Sequence, residues 1–315
     1  MVLCMKLSTK ALHPRNKHQQ PYDFTALCAA VPALSAFVRD NGYGQLSIDF
    51  ANADAVKTLN QALLKQLYLV QHWQLPDGFL CPAVPGRVDY LHYLADLLAL
   101  LNKNQVPTGN KVQLLDIGCG ANLIYPLLAQ AEYGWKVTAS ELDPVAADAA
   151  DLLIQRNQLQ HKIAVRRQQN SRHIFHGIIQ PADLFELTLC NPPFHTSAEQ
   201  AAAGSERKAK NLGYTTAALN FAGRSHELWC DGGEAAFIKT MIEESQSYAQ
   251  QVLWFSSLVS KQENLPALQQ QLTRLNTEHQ VIEMQQGNKQ SRILVWSFMS
   301  EKQRQLWAQF KWQRK

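Results

Sequence analysis

The spacing of apolar residues is helical in the first third of the chain. Two segments, ADAVKTLNQALLKQLY (53–68) and RVDYLHYLADLLALLN (87–102), repeat apolar residues at the three- and four-residue intervals of amphipathic helices. Asn52 or Asp54 is a suitable N-cap for the first of them. The segment QLSIDF (45–50) alternates apolar and polar residues, which predicts a short strand.

From Lys111 onward, short apolar runs alternate with amphipathic segments. This alternation predicts an α/β fold with a parallel sheet and right-handed crossovers. The last two runs, EHQVIEM and RILVWSF, flank Gln286-Gly287-Asn288, which predicts a hairpin and therefore at least one antiparallel strand. Strands are expected at 112–117, 136–142, 163–168, 184–190, 252–257, 278–284 and 292–298.

Composition is typical of a soluble globular protein. The chain has 315 residues, of which 46% are hydrophobic and 18% are charged. No apolar run approaches the ~18 residues that cross a bilayer, and the start MVLCMKLSTK is a poor signal peptide, so we expect a cytoplasmic protein without membrane contact. The six cysteines form no CxxC pair, so no metal site is expected.

Positive charge is concentrated at the two ends of the chain. Residues 1–22 contain four basic residues and no acidic one, whereas residues 301–315 contain five basic residues against one acidic residue. Since the whole chain carries only +4, the middle is mildly acidic. Basic ends favour contact with a polyanion, and solvated tails are the alternative. We interpret residues 1–20 as a flexible arm.

A glycine motif follows the first strand of the alternating region. Asp116-Ile117-Gly118-Cys119-Gly120 provides two glycines for a tight turn at the carboxyl end of a strand, where ligands bind in open α/β sheets. Glu141 ends the next strand and can accept hydrogen bonds from ribose hydroxyls. Leu123 replaces the third glycine of a dinucleotide motif, which favours a nucleoside cofactor. The pattern resembles the first two motifs of S-adenosylmethionine-dependent methyltransferases. A glycine turn with a surface glutamate is the alternative.

The fourth strand runs directly into Asn191-Pro192-Pro193-Phe194. The side-chain oxygen of Asn191 and the carbonyl of Pro192 can accept the two hydrogens of a conjugated NH2 group, which aims its lone pair at an electrophilic methyl. Phe194 offers a flat face for a planar substrate. The tetrapeptide resembles the amino-group methyltransferases, which act on adenine N6, cytosine N4 or glutamine amides. It does not separate these substrates, although Phe194 favours a base.

A wider resemblance covers residues 6–300. The chain resembles the bacterial large-subunit ribosomal RNA adenine-N6 methyltransferases, whose eukaryotic relatives include the U6 small nuclear RNA adenine methyltransferase. The resemblance implies a Rossmann-like class I methyltransferase with a mostly parallel seven-stranded sheet and an N-terminal α-rich RNA-binding module. The segments that carry it are LHPRNKH, YDF, GQLSIDFAN, AVKTLNQALL, CPAVPGRVDY, DIGCGANLIYPLL and CNPPF.

The resemblance and the motifs together give candidate site residues. The catalytic candidates are Asn191, Pro192, Pro193 and Phe194. The candidates for binding S-adenosylmethionine are Arg87, Asp116, Gly118, Gly120, Asn122, Glu141, Asn170 (or its neighbour Ser171) and Asn191. The candidates for RNA binding are Lys10, Arg15 and Lys17 in the arm, with Arg207, Lys208 and Lys210 in the polar insert 195–226.

These observations lead to one organisation of the chain. Residues 1–85 form the basic arm and helical module, 86–300 the methyltransferase domain and 301–315 a basic aromatic tail, in which helix packing is favoured over RNA stacking. We expect methyl transfer to one adenine of large-subunit ribosomal RNA, as naked RNA or in a precursor particle, by a monomer. The alternatives are a glutamine-amide protein methyltransferase and a non-catalytic RNA-binding assembly factor.

Overall fold

The computed structural model describes residues 12–193, 230–286 and 289–313. Seven strands of this part of the chain form one sheet: β3 (Gln113–Ile117), β4 (Lys136–Glu141), β5 (Ile163–Arg167), β6 (Phe185–Cys190), β7 (Val252–Val259), β8 (Glu278–Gln286) and β9 (Lys289–Ser297). Their order in the sheet is β5-β4-β3-β6-β7-β9-β8. Strands β3 to β7 are parallel, and β9 runs antiparallel to both of its neighbours, β7 and β8. The expected mostly parallel seven-stranded sheet and its terminal hairpin are therefore confirmed.

Helices connect the strands and form the N-terminal module. Asn52 accepts hydrogen bonds from the N–H groups of Asp54 and Ala55, so the N-cap of the second helix is Asn52. The third helix begins three residues before the predicted start, because Pro85 is well accommodated in a first turn. The helices are α1 (Phe24–Ala30), α2 (Ala53–Tyr68), α3 (Val84–Leu100), α4 (Ile124–Tyr133), α5 (Pro144–Arg156), α6 (Gly233–Ser245), α7 (Leu265–Arg274) and α8 (Glu301–Ala308).

Short elements complete the structure. The predicted strand at 45–50 contributes only β2 (Leu46–Ser47), which pairs with β1 (Arg39–Asp40) in a separate two-stranded sheet. Turns of 3-10 helix lie at Pro32–Ala36, Gly109–Lys111, Gln246–Tyr248 and Gln262–Asn264, and a π-helical segment follows at Gln309–Gln313.

The hydrophobic core has two large clusters. The first contains buried residues of α3, α4 and α5 together with Trp312 near the C-terminus. The second contains buried residues of α6 and α7, with Phe255 stacked on Trp296 at 5.7 Å. A smaller cluster joins α1 to α2 in the N-terminal module. The strand order reverses between β3 and β6, so the carboxyl ends of these two strands meet at a topological switch point.

The N-terminal segment is docked where it is described, so the prediction of a flexible arm is wrong for residues 12–20. His13, Asn16 and His18 are all buried. The side-chain amide of Asn16 donates to the carboxylate of Asp89 on α3 at 2.5 Å and to the carbonyl of Pro85 at 2.9 Å. The segment looks solvated in the sequence because its partners lie about 70 residues away.

The C-terminal tail packs against the sheet, as the helical spacing of its aromatic residues predicts. The Trp312 ring is buried, and the Trp307 indole N–H donates to the carboxylate of Glu186 at 2.9 Å. Lys311 lies 3.3 Å from the same fully buried carboxylate. Phe310 is exposed. The division of the chain into units ending at residues 85 and 300 stays a prediction.

Candidate active site

The glycine turn between β3 and α4 forms the floor of a cavity at the switch point. Gly118 and Gly120 adopt φ values of +71° and +61°, which L side chains rarely adopt. The N–H groups of Gly118 and Cys119 both donate to the carbonyl of Ser140 at 3.0 Å, which fixes the turn against β4. Glycine is therefore needed here for its backbone conformation, since the space beside Gly118 is open.

Glu141 ends β4 and holds three backbone amides. One carboxylate oxygen accepts from Gly120 N–H at 2.8 Å, and the other accepts from Leu142 at 2.8 Å and Asp143 at 2.9 Å. Burial raises the pKa of Glu141, and these amides oppose the rise because they favour the charged form. The carboxylate is thus oriented at the cavity and keeps lone pairs for further donors.

Two residues of the N-terminal half reach the same cavity. Arg87 on α3 donates to the hydroxyl of Tyr125 at 2.9 Å, and its guanidinium lies 5.5 Å from the centre of that ring. Asn122 accepts from Ile124 N–H at 3.0 Å, which orders the start of α4, and its carbonyl receives the indole N–H of Trp73 at 2.9 Å.

The predicted catalytic turn opens onto this cavity. Asn191 and Pro193 line it together with Cys190, at the end of β6. The side-chain oxygen of Asn191 is buried and has no hydrogen-bond partner among the residues that the structure describes. A buried oxygen that accepts no hydrogen bond costs free energy, so we infer that a molecule bound in the cavity donates a hydrogen bond to this atom.

Most of the predicted cofactor residues surround the cavity. The lining residues among them are Arg87, Gly118, Gly120, Asn122, Glu141 and Asn191. Asn170 is exposed and accepts from Arg172 N–H at 3.0 Å, while its neighbour Ser171 lines the cavity. Pro192 is buried without lining the cavity, and Phe194 lies outside the described residues.

Asp116 has no place in the cavity wall. Its side chain is buried, and neither carboxylate oxygen has a partner within the described ranges. Burial raises the pKa of Asp116 well above its usual value, the nearby charge of Glu141 adds to the rise, and Arg87 opposes it. Burial at this position therefore disfavours the charged form of the carboxyl.

The far wall of the cavity was not predicted beyond Ser171. Gln168, His173, Ile174 and Phe237 line it. Glu244, at the end of α6, holds this wall: its carboxylate accepts from the imidazole Nδ1 of His173 at 2.9 Å, from Ile174 N–H at 2.8 Å and from Phe175 N–H. No motif marks Glu244, because its partners are backbone amides about 70 residues away.

Two predicted RNA-binding cations are paired with carboxylates. Arg15 lies 2.7 Å from Asp96 and also donates to the carbonyl of His92 at 2.8 Å. Lys17 lies 2.7 Å from Glu132. Their side chains are 39% and 43% exposed, so each keeps a face toward solvent. The other predicted RNA-binding residues lie outside the described part of the chain; these are Lys10, Arg207, Lys208 and Lys210.

Neither a helix able to cross a membrane nor a group of three or more His, Cys, Asp or Glu side chains suited to a metal ion occurs in the described ranges. His13 lies 3.0 Å from Asp96, in an ion-pair network with Arg15.

Comparisons with known proteins agree with this geometry. A family model described as RNA methyltransferase matches residues 6–300. The ribosomal RNA large subunit methyltransferase F of Pseudomonas fluorescens (strain Pf0-1) is 51% identical over 311 residues, covering 97% of this chain and 92% of that protein. Its counterpart in Aeromonas salmonicida (strain A449) is 55% identical over 291 residues, covering 92% of each chain.

Solved structures give the same picture. The catalytic domain of human METTL16 in complex with MAT2A 3'UTR hairpin 1 has a TM-score of 0.78 at 26% identity, covering 92% of this chain and 96% of that one. The N-terminal domain of human METTL16 in complex with SAH has a TM-score of 0.73 at 26% identity, covering 92% of this chain and all of that one (100%). These similarities confirm the expected Rossmann-like methyltransferase fold.

Proposed function

Because this chain belongs to the RNA methyltransferase family, we propose that it transfers a methyl group from S-adenosylmethionine to the N6 amino group of one adenine in large-subunit ribosomal RNA. The names of its relatives support the RNA class, and the resemblance of Asn191-Pro192-Pro193-Phe194 to amino-group methyltransferases supports the adenine amine. These relatives favour neither a glutamine-amide protein methyltransferase nor a non-catalytic assembly factor.

One observation carries the proposal. The buried side-chain oxygen of Asn191 lacks a donor among the described residues and lies in the cavity that contains the glycine turn and Glu141. An exocyclic amine has the hydrogens that this oxygen needs, and the carbonyl of Pro192 is the second acceptor that we assign. Holding both hydrogens turns the nitrogen lone pair away from the ring and towards the cofactor side of the cavity.

The residues around the cavity suit a nucleoside cofactor with an amino-acid end. Glu141 can accept from ribose hydroxyls, and Arg87 can balance a carboxylate. When bound, S-adenosylmethionine supplies a methyl group on a positively charged sulfur. Asn191 and Pro192 stabilise the positive charge that develops on the amine, and the product ammonium then loses its proton to solvent without a strong base.

Several finer points remain predictions. The side chains of Arg15 and Lys17 are partly exposed, so each can contact an RNA phosphate while it stays next to its carboxylate partner. The target adenine must leave any stack to reach a cavity at the edge of the sheet, so unpaired RNA is the easier substrate. We also propose that the enzyme is a cytoplasmic monomer that acts on ribosomal RNA or a large-subunit precursor particle.

A direct assay tests the proposed function. Purified enzyme with labelled S-adenosylmethionine is offered large-subunit ribosomal RNA and, separately, total protein, and nucleosides are analysed by mass spectrometry. We expect N6-methyladenosine in the RNA and no label in protein. Asn191→Ala should lower the rate by ~10²-fold or more while cofactor binding persists. Asn110→Ala, an exposed asparagine beyond the opposite end of β3, is the control. Label in protein alone, or near-normal turnover of Asn191→Ala, would contradict the proposal.

A further inference from the structure

A buried tyrosine lies directly behind the catalytic turn. Tyr90 is on α3, one helical turn after Arg87, and its side chain is fully buried. Its hydroxyl lies 2.8 Å from the hydroxyl of Ser256 on β7 and 3.5 Å from the backbone nitrogen of Cys190, the residue before Asn191. Neither Tyr90 nor Ser256 has a role in the proposed chemistry of methyl transfer.

The protons of this network have only one arrangement. The Ser256 hydroxyl donates to the carbonyl of Thr188 on β6 at 2.6 Å, so its single hydrogen is already used. The hydrogen between Tyr90 and Ser256 must therefore come from Tyr90. The oxygen of Tyr90 is then left as an acceptor, and the N–H of Cys190 donates to it.

The hydrogen bonds of Tyr90 and Ser256 lie where the regular backbone pairing between β6 and β7 ends. Backbone pairing of β6 with β7 includes Phe185 with Val252 and Leu187 with Trp254. Beyond these pairs, the N–H of Ser256 donates to the side-chain hydroxyl of Thr188 at 3.3 Å. Backbone groups of residues two apart in a strand point to the same neighbour, so the Cys190 N–H faces β7 as the Thr188 carbonyl does.

We propose that Tyr90 is a positioning residue for methyl transfer, which with Ser256 completes the edge of β6 and fixes the backbone from which Asn191 projects. This inference rests on the proposed function. Replacing the hydroxyl would leave a buried amide without an acceptor immediately before Asn191. A displacement of about 1 Å at that point is enough to lose most of the alignment between an amine and a methyl donor.

The same tyrosine also contacts the cofactor wall. Its ring packs edge-on against the ring of Tyr125 at 5.7 Å, and the hydroxyl of Tyr125 receives the donation from Arg87. Helix α3 thus supports both sides of the cavity through residues three positions apart. Removing only the Tyr90 hydroxyl leaves its ring contact with Tyr125 in place. Such a variant should therefore disturb the alignment of the catalytic turn without disturbing the wall that binds the cofactor.

Two variants and a control test the proposal. Tyr90→Phe and Ser256→Ala should each lower kcat on RNA by about 10-fold to 100-fold, while calorimetry gives a Kd for S-adenosylmethionine within about twofold of the wild type. The double variant should be little worse than either single one, because both break the same chain. Ser297→Ala is the matched control, since Ser297 is a buried serine on the neighbouring strand β9, two residues beyond the Val295 that pairs with Ser256, and its hydroxyl accepts from Met299 N–H at 3.2 Å instead of joining the Tyr90 network.

Hydrogen exchange of the peptide containing Cys190 provides a readout that does not depend on activity. It should accelerate in Tyr90→Phe and Ser256→Ala and stay unchanged in Ser297→Ala. Unchanged kcat or unchanged exchange in both test variants overturns the proposal. If the wild type methylates no RNA, the proposed function fails, and the exchange of Cys190 alone decides whether Tyr90 and Ser256 fix the turn.

Discussion

Glu244 offers a sharp test of how the cavity wall is held. Its carboxylate lies at the end of α6 and accepts hydrogen bonds from Ile174 N–H, Phe175 N–H and the His173 imidazole. His173 and Ile174 line the cavity, whereas Glu244 does not. We predict that Glu244→Ala loosens this wall and weakens cofactor binding without removing any group that touches the cofactor.

The size of the effect follows from which donors lose their partner. Ile174 and Phe175 are buried, so water cannot easily replace the carboxylate there, and each unpaired amide costs about 1 to 3 kcal/mol. His173 is 40% exposed, so water can replace its contact. Removing the carboxylate also relieves its own desolvation, which leaves an expected loss of about 2 to 4 kcal/mol in the free energy of unfolding. We expect the Kd for S-adenosylmethionine to rise about tenfold, equivalent to ~1.4 kcal/mol.

A second glutamate on the same helix is the control. Glu234 is buried and accepts from Ser260 N–H at 2.7 Å, from Lys261 N–H at 3.2 Å and from the Asn264 amide at 2.7 Å, in a loop that does not line the cavity. Urea denaturation should therefore show a similar loss of stability for Glu234→Ala, and calorimetry should show an unchanged Kd. Equal Kd values for the wild type and Glu244→Ala, alongside a clear loss of stability, would refute the reasoning.

Three further predictions concern the two ends of the chain. Burial, with Lys17 nearby, holds the pKa of His18 at about 4. The unfolded chain alone takes up that proton as pH falls from 6.5 to 4, so His18 should lower the free energy of unfolding by about 3 kcal/mol across this window, and His18→Gln should remove that share of the pH dependence. His92, whose pKa burial lowers to about 3, acts in the same direction and accounts for part of what remains. Removing residues 301–315 leaves the buried Glu186 carboxylate without Lys311, so urea denaturation should show a loss of about 3 kcal/mol or more. Arg15→Ala combined with Lys17→Ala should weaken RNA binding in filter-binding assays, less so at high salt, and unchanged affinity would contradict an RNA-binding role.

Local sequence patterns predicted the central elements of the fold. The apolar runs located each strand of the sheet to within about three residues. Strands β3, β6 and β7 are buried on both faces and therefore need continuous apolar runs, whereas the edge strand β5 is only partly buried. The glycine turn and the turn at Asn191 also follow directly from sequence, since each stands at the end of such a run. Parallel strands place their carboxyl ends at one edge, so neighbouring strands brought these two motifs into one cavity.

Long-range partners could not be predicted in the same way. Glu244, Tyr90 and Ser256 act on backbone groups far away in sequence, and their own surroundings carry no motif. The docked N-terminal segment was missed for the same reason, because the carboxylates that pair with Arg15 and Lys17 lie on α3 and α4. A basic segment looks solvated until its counter-charges are known.

The pairing of these cations changes what RNA binding can gain from them. Lys17 lies 2.7 Å from Glu132, so at longer range the negative charge of the carboxylate cancels most of the positive potential of the lysine. A phosphate must therefore share the ammonium with Glu132 at short range or displace that carboxylate. In either case the contact acts only at short range, so these two residues would fix the position of the RNA on the protein more than they would attract it from solution. Long-range attraction then has to come from cations that have no carboxylate partner. Removing Arg15 or Lys17 should therefore reduce the slope of log K against log salt concentration by less than the value expected for the loss of one full phosphate contact.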